Sequence, residues 1–201
     1  MDRLPLDWFA LVECGVGMTA ALVATREVAT NVCSERLWFR SWSVDDGAAL
    51  HRLTGDGAVM RYVNDGMPMT REASDHLLVS MIRHRREHGF GHWAIGRHGD
   101  DDVLGCIGLF VPDVATPDVV ELGVWLRHDV WGSGLGVEAM ARVLDQAFDV
   151  LALDRVIATW HHDHPAAGRT MTRLGFAPVG TLPDEPSVVL AELTRTCWFA
   201  E

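Results

Sequence analysis

Two stretches of the chain hold residue types whose spacing suits chemistry. The first is 131-WGSGLGVEAM-140, where Gly132, Gly134 and Gly136 alternate ahead of a helical pattern. A strand that turns through three glycines into a helix presents backbone N–H groups with no intrahelical partner, at the positive end of the helix dipole. With no Cβ in the way, a pyrophosphate can approach that main chain closely. The same glycines would also serve as an ordinary tight turn, so the loop alone leaves both readings open. The second stretch is 161-HHDH-164. Strand alternation would put His162 and His164 on one side, but no cysteine or second cluster completes a ligand set, and no metal is expected.

Two familiar phosphate sites do not fit the glycine loop. A Walker loop needs Gly-Lys-Ser/Thr, and all 17 basic residues besides histidine are arginine. The absence of lysine also excludes Schiff-base chemistry on this chain. A dinucleotide fold needs an early parallel βαβ unit, whereas this loop follows strands that read as antiparallel.

The elements that must position these residues can be traced from the patterning. Alternation marks a strand at 36–42. Ser43 with Asp46 three residues on starts a short helix over 44–54. Thr70 is a candidate N-cap for a longer helix ending at Gly89, with Leu77, Leu78, Met81 and Ile82 as its apolar stripe. Strands at 91–97, 103–111 and 119–126 form an antiparallel meander, the first two joined by the polar turn 98-HGDDD-102 and the next turn bracketed by Pro112 and Pro117. Leu135, Met140, Val143, Leu144, Ala147, Phe148 and Leu151 recur at helical spacing, predicting an amphipathic helix to about 151. A strand at 155–160, a short helix at 165–174 with Pro165 in its first turn, and a strand at 188–198 follow, with a possible small strand near 178–181. The expectation is an α/β (α+β) fold: a mixed, largely antiparallel central sheet with helices on both faces.

Composition sets the outer limits. The 201 residues suit one domain with a real core. The net charge of −11 argues against a nucleic-acid binder that works by neutralising phosphates. Cys14, Cys33, Cys106 and Cys197 are scattered and read as reduced thiols of a cytoplasmic protein. The apolar stretch 4–24 is interrupted by Asp7 and Glu13, so it reads as an extension packed on the domain or a poorly ordered tail rather than a signal or a span.

Order and spacing together carry a resemblance. The run 119-VVELGVWLRHDVWGSGLGVEAMARVLDQAF-148, followed by 155-RVIATW-160 and 169-RTMTRLGF-176, resembles the GNAT superfamily of N-acetyltransferases. The loop from Trp131 to Ala139 and the opening 35-ERLWFR-40 are most similar to the branch of ribosomal-protein N-terminal acetyltransferases; 59-VMRYV-63 and 88-HGFGHWAI-95 add to the likeness. It covers about residues 34–199, which makes 1–33 an extension and 34–201 a single acetyltransferase domain.

The resemblance implies the GNAT fold, with a V-shaped splay between two central strands, and acetyl-CoA as co-substrate. Its pyrophosphate would sit on Gly132, Ser133, Gly134, Leu135, Gly136 and Val137 beside Trp131, and its pantetheine arm beside Val124, Trp125 and Leu126. A bulge in that strand would free a backbone N–H near Val124 as an oxyanion donor. A primary amine, on a protein N-terminus or a small molecule, would attack directly, with Glu121 as general base. Trp93 and Tyr62 are expected to line the acceptor pocket, with Trp125 a further aromatic candidate. The protein would act as a monomer or homodimer, with no nucleic-acid or membrane partner.

The chain departs from the family after the 155–160 strand. His164 stands where an asparagine is common, Ala167 where a serine is common, and Met171 where many members use a tyrosine acid. His164 would then hydrogen-bond the cofactor or protonate the departing thiolate. If neither His164 nor water does so, the chain is instead a module that binds acyl-CoA with little or no transfer.

Overall fold

In a computed structural model of the chain, residues 31–63, 65–112 and 119–200 are described. The apolar stretch 4–24 and the turn around Pro117 lie outside them.

Eight strands form one sheet in the order β1-β2-β3-β4-β5-β6-β8-β7. They are β1 (Asn31–Cys33), β2 (Leu37–Ser41), β3 (His92–Arg97), β4 (Gly105–Phe110), β5 (Glu121–Leu126), β6 (Arg155–His161), β7 (Ala177–Thr181) and β8 (Val188–Thr194). Every neighbouring pair is antiparallel except β5 and β6. The meander foreseen at β3-β4-β5 is present, in continuous register from Gly105↔Leu126 to Phe110↔Glu121. The bulge expected in β5 is therefore absent over these residues.

Helices cover both faces. On one, α1 (Gly47–Thr54) and α3 (Arg71–His88) pack Leu50, Leu53, Leu77, Leu78 and Met81 on Ala94 and Cys106. The other carries the larger core, in which α4 (Leu135–Asp145) buries Leu135, Ala139, Met140, Val143 and Leu144, and α5 (Pro165–Arg173) buries Met171. Removing so much apolar surface from water is the main stabilising term.

Local signals act where the sequence put them. Thr70 Oγ1 accepts from Ala73 N–H, and Gly89 ends α3 in the left-handed region at φ 73°. The Asp46 carboxylate accepts from Ser43 N–H at 2.8 Å and is gripped by both Nη atoms of Arg40. The predicted 44–54 helix begins as a 3-10 turn at Val44–Asp46.

Four elements were not anticipated, a 3-10 turn at His128–Val130 among them, and one strand ended early. Strand β1 extends the sheet at its edge, α2 (Gly57–Met60) starts on the Asp56 side chain, and α6 (Arg195–Trp198) is capped by Thr194. That last cap ends at Thr194 a strand read as running to 198. The helix expected to reach 151 widens after Asp145 into π-type turns over Gln146–Val150. No helix among the described residues is long and apolar enough to cross a membrane.

Candidate active site

Strands β5 and β6 run parallel but pair only once, at Glu121↔Ile157, where Ile157 N–H donates to Val120 O at 2.9 Å. Beyond that point they part, which is the splay expected. On the opposite side Arg127 N–H donates to Leu104 O at 2.9 Å. Backbone alternation between these two fixed points turns the N–H and C=O groups of Leu122, Val124 and Leu126 toward β6, into the gap. The Val124 N–H faces the gap without a bulge, because β6 has left.

Glu121 closes the root of this gap. Its Oε1 accepts from Thr159 Oγ1 at 2.6 Å, and the Thr159 N–H also donates to its carboxylate. The side chain thus takes the place of a backbone acceptor just where the strands separate. Burial raises its pKa above the ordinary carboxylate value, opposed by the two Thr159 bonds.

At the far end of the gap lies the glycine loop. Gly132 and Gly134 hold φ 73° and 79°, the left-handed region that a side chain resists. The first helical bond of α4 is Glu138 N–H to Gly134 O at 3.2 Å. Among the described residues the N–H groups from Gly132 to Val137 meet no protein acceptor. Six unpaired donors stand at the N-terminus of an eleven-residue helix, an arrangement that favours negative charge.

The loop is braced from the far edge of the sheet. The Glu138 carboxylate accepts from Ser34 Oγ, Arg36 N–H and Arg36 Nε at 2.7, 2.8 and 2.6 Å, and Arg36 Nη1 donates to Ser133 O. Trp131 is half exposed, and its Nε1 donates to Leu126 O at 2.9 Å, tying the loop to the end of β5.

Residues directly opposite in the ladders share a face. The row Trp93–Ile107–Val124 lies on the α4 side, and Trp93 is 1% exposed in that core with the Arg85 guanidinium over its ring. The structure thus places Trp93 on the sheet face opposite Glu121 rather than in an acceptor pocket: strand alternation sent it inward. Glu121, Gly123 and Trp125 share the α1–α3 face, and the residue that reaches them from β3 is His92, which the sequence reading passed over.

The β6–α5 junction brings distant residues together. His164 is the N-cap residue of α5, and its half-buried ring stacks on Tyr62, centroids 4.4 Å apart. Burial lowers its pKa. Met171 is 4% exposed in the main core. His162 and His164 do not form a pair: β6 ends at His161, and His162 Nδ1 lies 2.9 Å from Ser187 O. His161, His162 and Asp163 offer ligand atoms within 4.8 Å, yet His161 Nδ1 already accepts from Asp163 N–H.

Residues 36–177 match the acetyltransferase (GNAT) domain family. The chain is a member of the GNAT family. It is 26% identical over 152 residues to a Bacillus licheniformis protein named as an uncharacterized N-acetyltransferase, p20, covering 75% of this chain and 84% of that one. Its fold is that of a GNAT-family acetyltransferase from Bacillus anthracis, with a TM-score of 0.70 at 20% identity over 83% of this chain and 99% of the other. It also matches a ribosomal-protein-S5-alanine acetyltransferase from Vibrio fischeri, with a TM-score of 0.68 at 12% identity over 85% and 99% of the two chains.

Against the GNAT pattern, Met171 at the tyrosine position is committed to packing. Ala167 offers no hydroxyl. The polar side chains of the β6–α5 junction include the imidazole of His164 and the phenol stacked on it.

Proposed function

We propose that this chain moves the acetyl group of acetyl-CoA to a primary amine by direct attack. The observation that carries the reading is the row of six unpaired N–H groups from Gly132 to Val137, set at the open end of the gap between β5 and β6. The donors fit a pyrophosphate. The strand edge at Val124 and Leu126 fits an amide-bearing arm that needs main-chain partners.

The bound thioester supplies an activated acetyl group. The chain's own residues do the rest. The Val124 N–H, facing the gap, donates to the oxygen that gains charge. Glu121 takes the proton that the amine must lose, directly or through water, and its raised pKa makes it a stronger base than an exposed carboxylate. Holding both partners in one gap supplies much of the rate through positioning. His164 donates a hydrogen bond at the sulfur end. The acceptor is a protein N-terminus or a small primary amine, approached from the α1–α3 face.

A second reading, an acyl-CoA-binding module with little transfer, draws on the burial of Met171. Free-thiol release from acetyl-CoA with an amine panel separates the two. Acceptor-dependent thiol supports transfer; tight CoA binding without it supports the module. Calorimetric titration with CoA tests both, since no saturable binding to folded protein would remove the cofactor assignment. Gly134→Asp should weaken binding sharply, because a carboxylate would meet the pyrophosphate and the φ of 79° strains any side chain.

A further inference from the structure

One row of the sheet on the acceptor side is built around an imidazole. In the ladders His92 of β3 lies opposite Gly108 of β4, and Gly108 opposite Gly123 of β5. The two glycines leave the sheet surface bare. A Cβ at Gly108 would come within 2.4 Å of His92 Cα, and one at Gly123 within 3.2 Å of His92 Nε2. The His92 ring therefore reaches from β3 across β4 to β5.

Aromatic rings fix it there. Trp125 lies nearly parallel to it, at 5.8 Å and 6°, and Phe110 stacks at 5.4 Å and 21°. Phe110 is itself the ladder partner of Glu121. Gly123 is two residues from Glu121 on the same face, so the Nε2 end of the ring stands beside the carboxylate's strand position. His92 as a whole residue is half-buried, and among the described residues neither ring nitrogen is hydrogen-bonded. By contrast His84, which is close enough to His92 to act on its charge, is fully used: Nδ1 lies 3.2 Å from Phe90 O and Nε2 accepts from Val111 N–H.

A side chain stacked against two aromatic rings, with its nitrogens left without a partner, is built to meet something. We propose that His92 is an acceptor-binding residue whose Nε2 takes a hydrogen bond from the attacking amine and aims its lone pair into the gap beside Glu121. The tautomer this requires carries its proton on Nδ1. Two acceptors, one on β3 and one on β5, then share the amine's hydrogens: Glu121 removes one and His92 retains another. The recognised group is a primary amine with at least two N–H bonds to give. The inference rests on the acetyltransferase reading and deepens it by naming the acceptor's partner.

The test compares His92→Phe and His92→Gln with the parent in thiol-release assays. The amine probes are an alanine-initiated peptide, spermidine and kanamycin. Phenylalanine keeps the stacked shape and deletes the nitrogen; glutamine places Oε1 near the position of Nε2. The expected result is a fall of about tenfold or more in kcat/KM for the amine in His92→Phe, the loss of one hydrogen bond. KM for acetyl-CoA should be unchanged, and His92→Gln should recover a large part of the loss. A folded His92→Phe within twofold of the parent would overturn the proposal. So would equal losses in both variants with lowered melting temperatures, which mark a structural ring. A parent silent with all three amines would instead overturn the transferase reading, and this inference with it.

Discussion

The rings of Tyr62 and His164 lie face to face, 4.4 Å between centroids and 15° from parallel. They come from segments about a hundred residues apart, and the Tyr62 ring also stacks at 6.0 Å on His161. The single tyrosine of the chain thus covers the imidazole at the N-cap of α5.

Removing that cover has a readable effect. His164 has its pKa lowered by burial, so Tyr62→Ala should let it rise back toward the ordinary histidine value. Tyr62→Phe keeps the stack and should leave it lowered. Histidine proton shifts followed by NMR against pH check this. Tyr62→Ala should also cost about 1 kcal/mol of stability, seen as a fall of a few degrees in Tm.

As the proposed base, Glu121 should set the acidic side of the pH–rate profile. Its pKa is raised above 4.5 by burial, so activity should rise with pH through a midpoint above that value as the carboxylate becomes the base. Glu121→Gln should lower kcat by about 10²-fold or more and remove that limb. Unchanged turnover across pH would take Glu121 out of the reaction.

Acid should destabilise the fold through the His84 cluster. Burial holds His84 down to about 4 and His92 to about 3, from 6.5. Above pH 6.5 both are neutral whether folded or unfolded. As the pH falls from 6.5 toward 4, the unfolded chain takes up a proton on His84 that the folded chain refuses, so stability is lost on acidification. The His84 shift corresponds to roughly 3 kcal/mol at most. Denaturant unfolding at pH 7 and pH 4.5 measures the loss, and His84→Gln should flatten it.

Glu138 should matter beyond its own charge. Glu138→Ala leaves Ser34 Oγ, Arg36 N–H and Arg36 Nε without their acceptor and frees the brace on Ser133. A stability loss of about 1–2 kcal/mol is expected. CoA affinity should weaken with it, as titration calorimetry can read, because the loop's donors lose their fixed direction.

What the sequence made legible follows the range of each interaction. Helix α3 was readable from both ends because Thr70 and Gly89 act within a turn of their own positions. The glycine loop was equally local. Strand β1 was hidden because three residues carry little pattern, and only pairing with β2 makes them a strand. Trp93 was misplaced because alternation fixes which residues share a face but not which face looks at the substrate; the register through Ile107 to Val124 decides that. His92 and Tyr62 were missed as partners for the same reason. Their value comes from Gly108 and Gly123, and from His164, all distant along the chain. The ordered backbone of β5 shows another limit: a donor reached the gap through β6 leaving, not through a bulge.

The single pairing of Glu121 with Ile157 makes eight strands one sheet. Five strands lie to one side of it and three to the other. They resemble two pages bound at a spine, and small rotations about that line would open or narrow the far end most. Glu121 lies on the line itself, held by Thr159 from the other page. In the proposed reaction the width available to an acyl group is thus uncoupled from the place where the proton would be taken. Enlarging the pocket by substitutions far along β6 should change which thioester fits without disturbing the carboxylate.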